Sequence, residues 1–158
     1  MAYKPKSWRE KLADDKNFPK IVKLSGRLEK AWGSGTCVIA KPREVDEIMK
    51  KVPKGKLITI NKIREILAKR HKTTIACPIT TGIFARIAAG AAEENAMEGK
   101  SDITPYWRTV KDGGVINEKY PGGLKGQKKL LEKEGLKVIQ KGRKYVVENY
   151  EKYLVELE

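Results

Sequence analysis

Few residues in this chain could carry covalent chemistry. Cys37 and Cys77 stand alone, with no Cys-x-x-Cys pairing, and His71 is the single histidine. That set lacks zinc-site spacing and implies no disulfide framework, so neither a metal nor a cofactor is expected. Cys77 lies just before a helix-forming run whose positive end would favour a thiolate; a small buried cysteine is the plainer reading of the same residue. His71, within Lys69-Arg70-His71-Lys72, belongs at a helix C-terminus, where cations favour the dipole. The segment Thr104-Pro105-Tyr106-Trp107-Arg108-Thr109-Val110 offers a different chemistry. Aromatic faces stack on nucleobases for roughly 1–3 kcal/mol each, although a core position suits Trp107 equally well.

The charge points the same way. Thirty-four Lys and Arg against 20 Asp and Glu leave +14 on 158 residues. An excess of this size suits a polyanion, because each neutralised phosphate releases condensed counterions. A Lys- and Glu-rich solvated surface is the alternative. The chain suits one domain, or one domain with an appendage, and its hydrophobic content of 40% is enough for a core. No apolar run approaches the roughly 20 residues of a membrane helix, and no long basic amphipathic helix with exposed aromatics suggests a membrane surface. Met1 to Lys6 lead into a polar helix without an apolar signal core, so a cytoplasmic monomer is expected.

The elements that must position these residues can be followed along the chain. Ser7-Trp8-Arg9-Glu10 fits a capping box for a short helix to about Asp15, and Thr36 to Ala40 reads as a short strand. Pro42 opens a helix with Val45, Ile48, Met49 and Val52 inward. Asn61 is expected to cap a third helix with Ile63, Ile66 and Leu67 inward. After the loop from His71 to Pro78, Thr80 or Thr81 is expected to cap a helix from Gly82 to Met97. Its core face would be Ile83, Phe84, Ile87 and Ala91. Gly82, Ala85, Ala89 and Gly90 would leave the remaining surface bare, with Arg86 rising from it. Such a surface suits close helix packing as well as it suits DNA. Alternating apolar and basic residues around Lys141-Gly142-Arg143 predict a hairpin that would form the wing of a winged helix-turn-helix. A closing helix is expected from Glu148 to Leu157.

Several of these stretches resemble the C-terminal, DNA-binding domain of O6-alkylguanine-DNA alkyltransferases. Val52-Pro53-Lys54-Gly55-Lys56-Leu57 matches that family's Val-Pro-x-Gly-x-Val. Ala85-Arg86-Ile87-Ala88-Ala89-Gly90-Ala91 matches its recognition helix, and Pro105-Tyr106-Trp107-Arg108 its Pro-Cys-His-Arg. Tyr120-Pro121-Gly122-Gly123 and Leu130-Leu131-Glu132-Lys133-Glu134-Gly135 match its Tyr-x-Gly-Gly and Leu-Leu-x-x-Glu-Gly. Tyr106 and Trp107 stand where that family has its alkyl-accepting cysteine and activating histidine. The pattern is therefore similar to alkyltransferase-like proteins, which lack that cysteine.

The resemblance implies a mainly α fold with short β-strands, a winged helix-turn-helix over 42–158, and an N-terminal extension over 1–41 packed on it. It implies a partner, double-stranded DNA carrying O6-alkylguanine, and a lesion passed to nucleotide excision repair proteins. Arg86 would take the place of a flipped nucleotide. Ala85, Ala89, Gly90, Thr81, Lys125, Lys141 and Arg143 would contact DNA. Tyr106, Trp107, Arg108, Tyr120, Pro121, Gly122 and Glu134 would surround the lesion. The Thr73–Pro78 stretch is an insertion relative to the family, and Thr59 or Ile60 replaces a tyrosine. A phenol with a pKa near 10 and no adjacent base is a poor alkyl acceptor, so no catalytic residue is assigned. Two alternatives remain: a winged-helix regulator or architectural protein without lesion preference, and an alkyltransferase that uses Cys77.

Overall fold

The computed structural model describes residues 5–157, so Met1–Lys4 of the expected extension and Glu158 lie outside the described residues. Helix α1 (Trp8–Ala13) carries the expected capping box: Ser7 accepts from the Glu10 amide, and the Glu10 side chain accepts from the Ser7 amide. Strands β1 (Lys20–Lys23) and β2 (Thr36–Ile39) flank the short helix α2 (Gly26–Trp32) and pair antiparallel.

Helix α3 (Pro42–Lys50) begins at proline and buries Val45, Ile48 and Met49, with Val52 just beyond it. Strand β3 (Ile58–Thr59) leads into α4 (Ile60–His71). The cap of α4 is Thr59, whose hydroxyl accepts from the Lys62 amide. Asn61 is instead a helical residue whose side chain accepts from Arg64. Strand β4 (Ile75–Ala76) comes from the expected insertion and pairs parallel with β2. The extra residues between α4 and the next helix thus tie the N-terminal extension to the helix pair.

Helix α5 (Pro78–Met97) starts a turn earlier than expected. Its cap position is Cys77 with Pro78 at the first turn, where the missing amide costs nothing. Thr81 donates its hydroxyl to the Cys77 carbonyl from inside the helix. Strand β5 (Thr109–Val110) pairs parallel with β3. Beyond it lie α6 (Gly123–Lys133) and the hairpin of β6 (Val138–Lys141) and β7 (Lys144–Val147). The expected closing helix is one 3-10 turn, Tyr150–Tyr153, because the chain then runs beside Leu57, bridging it through Leu154.

Two main apolar clusters result. One gathers α3, α4, α5, Tyr106 and Tyr120; the other gathers Leu57, Leu131, Leu136 and the hairpin residues Val138 and Val147. Trp107 packs against both. A third, smaller cluster holds Leu24, Cys37, Ile75 and Cys77.

Candidate nucleic-acid interface

The motif stretches that lie far apart in sequence meet at one carboxylate. Glu134 closes α6, and its side chain is only 6% exposed. It accepts from the Trp107 indole N–H at 2.6 Å, from the Gly55 amide at 2.8 Å and from the Arg108 guanidinium at 2.9–3.1 Å. Arg108 also donates to the Val52 carbonyl at 2.7 Å. Burial pushes the Glu134 carboxyl up, but Arg108, the Gly55 amide and the Trp107 N–H outweigh it and hold it below the usual carboxylate range. Trp107, Arg108 and Glu134 therefore form a structural lock between the two clusters, their polar groups taken up by one another.

The aromatic pair is buried as well. Tyr106 and Tyr120 are each 3% exposed and meet edge to face, their centroids 5.6 Å apart, with Trp107 edge-on to Tyr106 at 5.3 Å. Burial, with the nearby Glu93 carboxylate, pushes the Tyr106 phenol up to about 12, and burial pushes Tyr120 up too. Their faces are used by the protein itself, which corrects the expectation of an open stacking pocket at these positions. The Tyr106 hydroxyl donates to Glu93 at 3.4 Å.

Glu93 opens onto a cleft of about 360 Å³ bounded by Trp8, Arg86, Met97, Lys119 and Pro121. Of the expected lesion-pocket residues, Pro121 alone lines it. Gly122 is exposed at the start of α6, with its backbone in the left-handed region, and a Cβ there would press on the Gly126 backbone. The Gly123 amide donates back to the Tyr120 carbonyl.

Helix α5 also differs from its expected orientation. Ala85 and Ala89 are fully buried, and Gly90 and Thr81 are buried beside them, so none of these four is an exposed DNA-contacting residue. The small side chains let α1 and α3 approach α5 closely. A Cβ at Gly90 would overlap the Trp8 indole. The exposed face is Ile79, Ile83 and Arg86; Ile83, expected in the core, is 49% exposed. Spacing alone could not orient this helix, because it is apolar nearly all round.

The residues that the sequence did not reveal come from the extension. Trp8 covers Gly90 and places its ring 5.5 Å from the Arg86 guanidinium and 4.4 Å from the Lys11 ammonium. Arg9 pairs with Glu94 on α5 and with Glu98, the residue that caps its C-terminus. One signal was present: a glycine inside a long helix costs about 1 kcal/mol relative to alanine, so a close neighbour over Gly90 could have been inferred.

Lys125, Lys141 and Arg143 are exposed. The hairpin carrying the last two packs on α6 and on the Asp112–Gly114 turn, within the second cluster and away from that of α5. Cys77 sits in the third cluster. Burial pushes its thiol up, but the Thr80 hydroxyl, the Thr80 and Ile79 amides and the Cys37 thiol bring it below its ordinary value. No group of three or more His, Cys, Asp or Glu among the described residues could hold a metal, and no described helix is long and apolar enough to cross a membrane.

No protein-family model matches this sequence, and no curated protein does. Two solved structures match the fold. One is S. pombe Atl1 in complex with damaged DNA containing O6-carboxymethylguanine, at 19% identity and TM-score 0.51. The other is S. pombe ATL in complex with DNA, at 20% identity and TM-score 0.53. Each match covers 73% of this chain and 94% of the other. The chain therefore has the alkyltransferase-like fold, mainly α with short strands.

Proposed function

We propose that this chain binds double-stranded DNA along the exposed face of α5 and receives an O6-alkylated guanine, flipped out of the duplex, in the cleft beside Arg86. The alkyl group stays on the base. The observation that carries this reading is the position of Arg86: an exposed guanidinium on α5 at the mouth of an open cleft. A planar, always-charged group of this kind can fill the stacking and hydrogen-bonding space that a flipped nucleotide vacates. The net charge of +14 supplies the phosphate attraction, and the two proteins with the matching fold were seen on DNA, one of them on damaged DNA.

The chemistry at position 106 argues against alkyl transfer to that residue. A nucleophile needs an accessible, deprotonatable atom, whereas the Tyr106 phenol is buried, held up to about 12 and hydrogen-bonded to an anion that does not lower it. A protein that holds a lesion without repairing it has to pass it on, and nucleotide excision repair is the recipient that the resemblance implies.

Equilibrium binding to a duplex with one O6-methylguanine, against the same duplex unmodified, tests the reading. Tighter binding of the methylated duplex is expected, with unchanged protein mass. Equal affinities and the same steep salt dependence would instead make this an architectural or regulatory DNA-binding protein. A mass gain at Cys77 would make it an alkyltransferase.

A further inference from the structure

The N-terminal helix α1 does more than cover hydrophobic surface. Its tryptophan does not bury itself: Trp8 is half-buried and lines the cleft together with Arg86, Glu93, Met97, Lys119 and Pro121. Its position is closely specified. Gly90 leaves room for the indole where any side chain would collide with it. Arg9, the next residue, fastens α1 to α5 by donating its backbone amide to Glu94 at 2.8 Å and its guanidinium to Glu98 at 3.0 Å. These pairings also offset two carboxylates at the C-terminal end of α5 and its cap that would otherwise repel phosphate. An aromatic ring held this firmly, half in contact with solvent and flanked by the cations of Arg86 and Lys11, has the features of a stacking platform for a nucleobase.

We infer that Trp8 is a specificity-determining wall of the cleft, against which a base extruded from duplex DNA stacks, so that the N-terminal extension is part of the binding site. The inference rests on the proposed base capture and adds a residue and an element to it. Arg86 lies beside the indole, 5.5 Å from its ring centroid. On binding, Arg86 turns towards the duplex and the base takes the space next to the ring.

The test compares Trp8→Phe, Trp8→Leu and Gly90→Ala with the unaltered protein. Each is measured on duplexes with and without O6-methylguanine, alongside thermal melting. Trp8→Leu keeps an apolar side chain over Gly90 but removes the π-face, so a packing role would leave the preference for the methylated duplex unchanged. Stacking predicts a loss of roughly tenfold, the size of one base–aromatic contact. Trp8→Phe should keep most of the preference. Gly90→Ala displaces the indole without altering it and should act in the same direction as Trp8→Leu. Equal preference in the unaltered protein and in folded Trp8→Leu and Gly90→Ala variants would overturn the inference and leave the proposed function standing. No preference in the unaltered protein would overturn both.

Discussion

Tyr106 and Trp107 are neighbours, and each donates a hydrogen bond to a carboxylate, yet the two carboxylates differ in every physical respect. Glu134 is nearly inaccessible and takes five donor contacts, including the two-pronged Arg108 and a backbone amide. Glu93 is half-exposed, takes one long contact from Tyr106 and borders an open cleft. Saturated, buried polar groups hold a fold in one arrangement; an acceptor left at the edge of a cleft is free to meet a ligand. The segment from Pro105 to Arg108 therefore splits between two tasks. The side holding Trp107 fastens the two apolar clusters together, and the side holding Tyr106 backs the cleft.

The largest effect that separates the two sides should come from Glu134→Ala. It leaves the Arg108 guanidinium, the Trp107 N–H and the Gly55 amide without their acceptor, and breaking a buried pair of this kind costs about 3–5 kcal/mol. Denaturant unfolding should show that loss, while the fraction still folded keeps its preference for the methylated duplex. A changed preference at full occupancy would join the two sides again. Acid titration sharpens the point. The folded carboxyl is held below its ordinary value, so its stabilisation is complete above the unfolded pKa of about 4.3 and is lost as pH falls through the folded value. Glu134→Gln should flatten that acid limb of the stability curve.

Arg86→Ala should do the reverse. Arg86 is exposed, with its guanidinium 5.5 Å from the Trp8 ring, so stability should stay within about 0.5 kcal/mol. The preference for the methylated duplex should fall tenfold or more, because a flipped base would leave an unfilled gap in the stack. A preference that survives would remove Arg86 from the interface.

The sequence allowed much of the fold to be read and less of the site. Capping by Ser7 and Glu10, the Pro42 helix and the hairpin at Gly142 were readable because each depends on a few adjacent residues. The fold itself was readable because five short motifs kept their order along the chain. The orientation of α5 was not. With alanine, glycine and isoleucine on every side, its sequence carries no stripe, and α1 and α3 decide which alanines are buried. Of the seven expected pocket residues, Pro121 lines the cleft, whereas Tyr106, Trp107, Arg108, Tyr120 and Glu134 spend their side chains on contacts within the protein. Position in a motif does not say whether a side chain faces a ligand or its own protein. Trp107 and Glu134 stand at their motif positions and meet there in a direct hydrogen bond. Trp8 was out of reach, since it meets Gly90 across 82 positions, and only the close packing of two helices brings them together.

The smallest effect concerns the hairpin, where the same division between stability and binding can be tried on a third region. Arg143 is exposed at the tip of β6–β7, and the hairpin packs with α6 in the second cluster, apart from α5. If it acts as a wing, Arg143 meets phosphate only, and phosphate contacts position the protein without reading bases. Arg143→Ala should then weaken the methylated and unmodified duplexes equally, by a few-fold at moderate salt. It should also reduce the slope of log affinity against log salt by about 0.9, the value of one released counterion. The melting temperature should barely move, since the side chain is exposed. An unchanged salt slope would mean that the basic hairpin points away from the duplex. The contact surface would then be confined to α5, the cleft and the helix that the N-terminal extension lays across them.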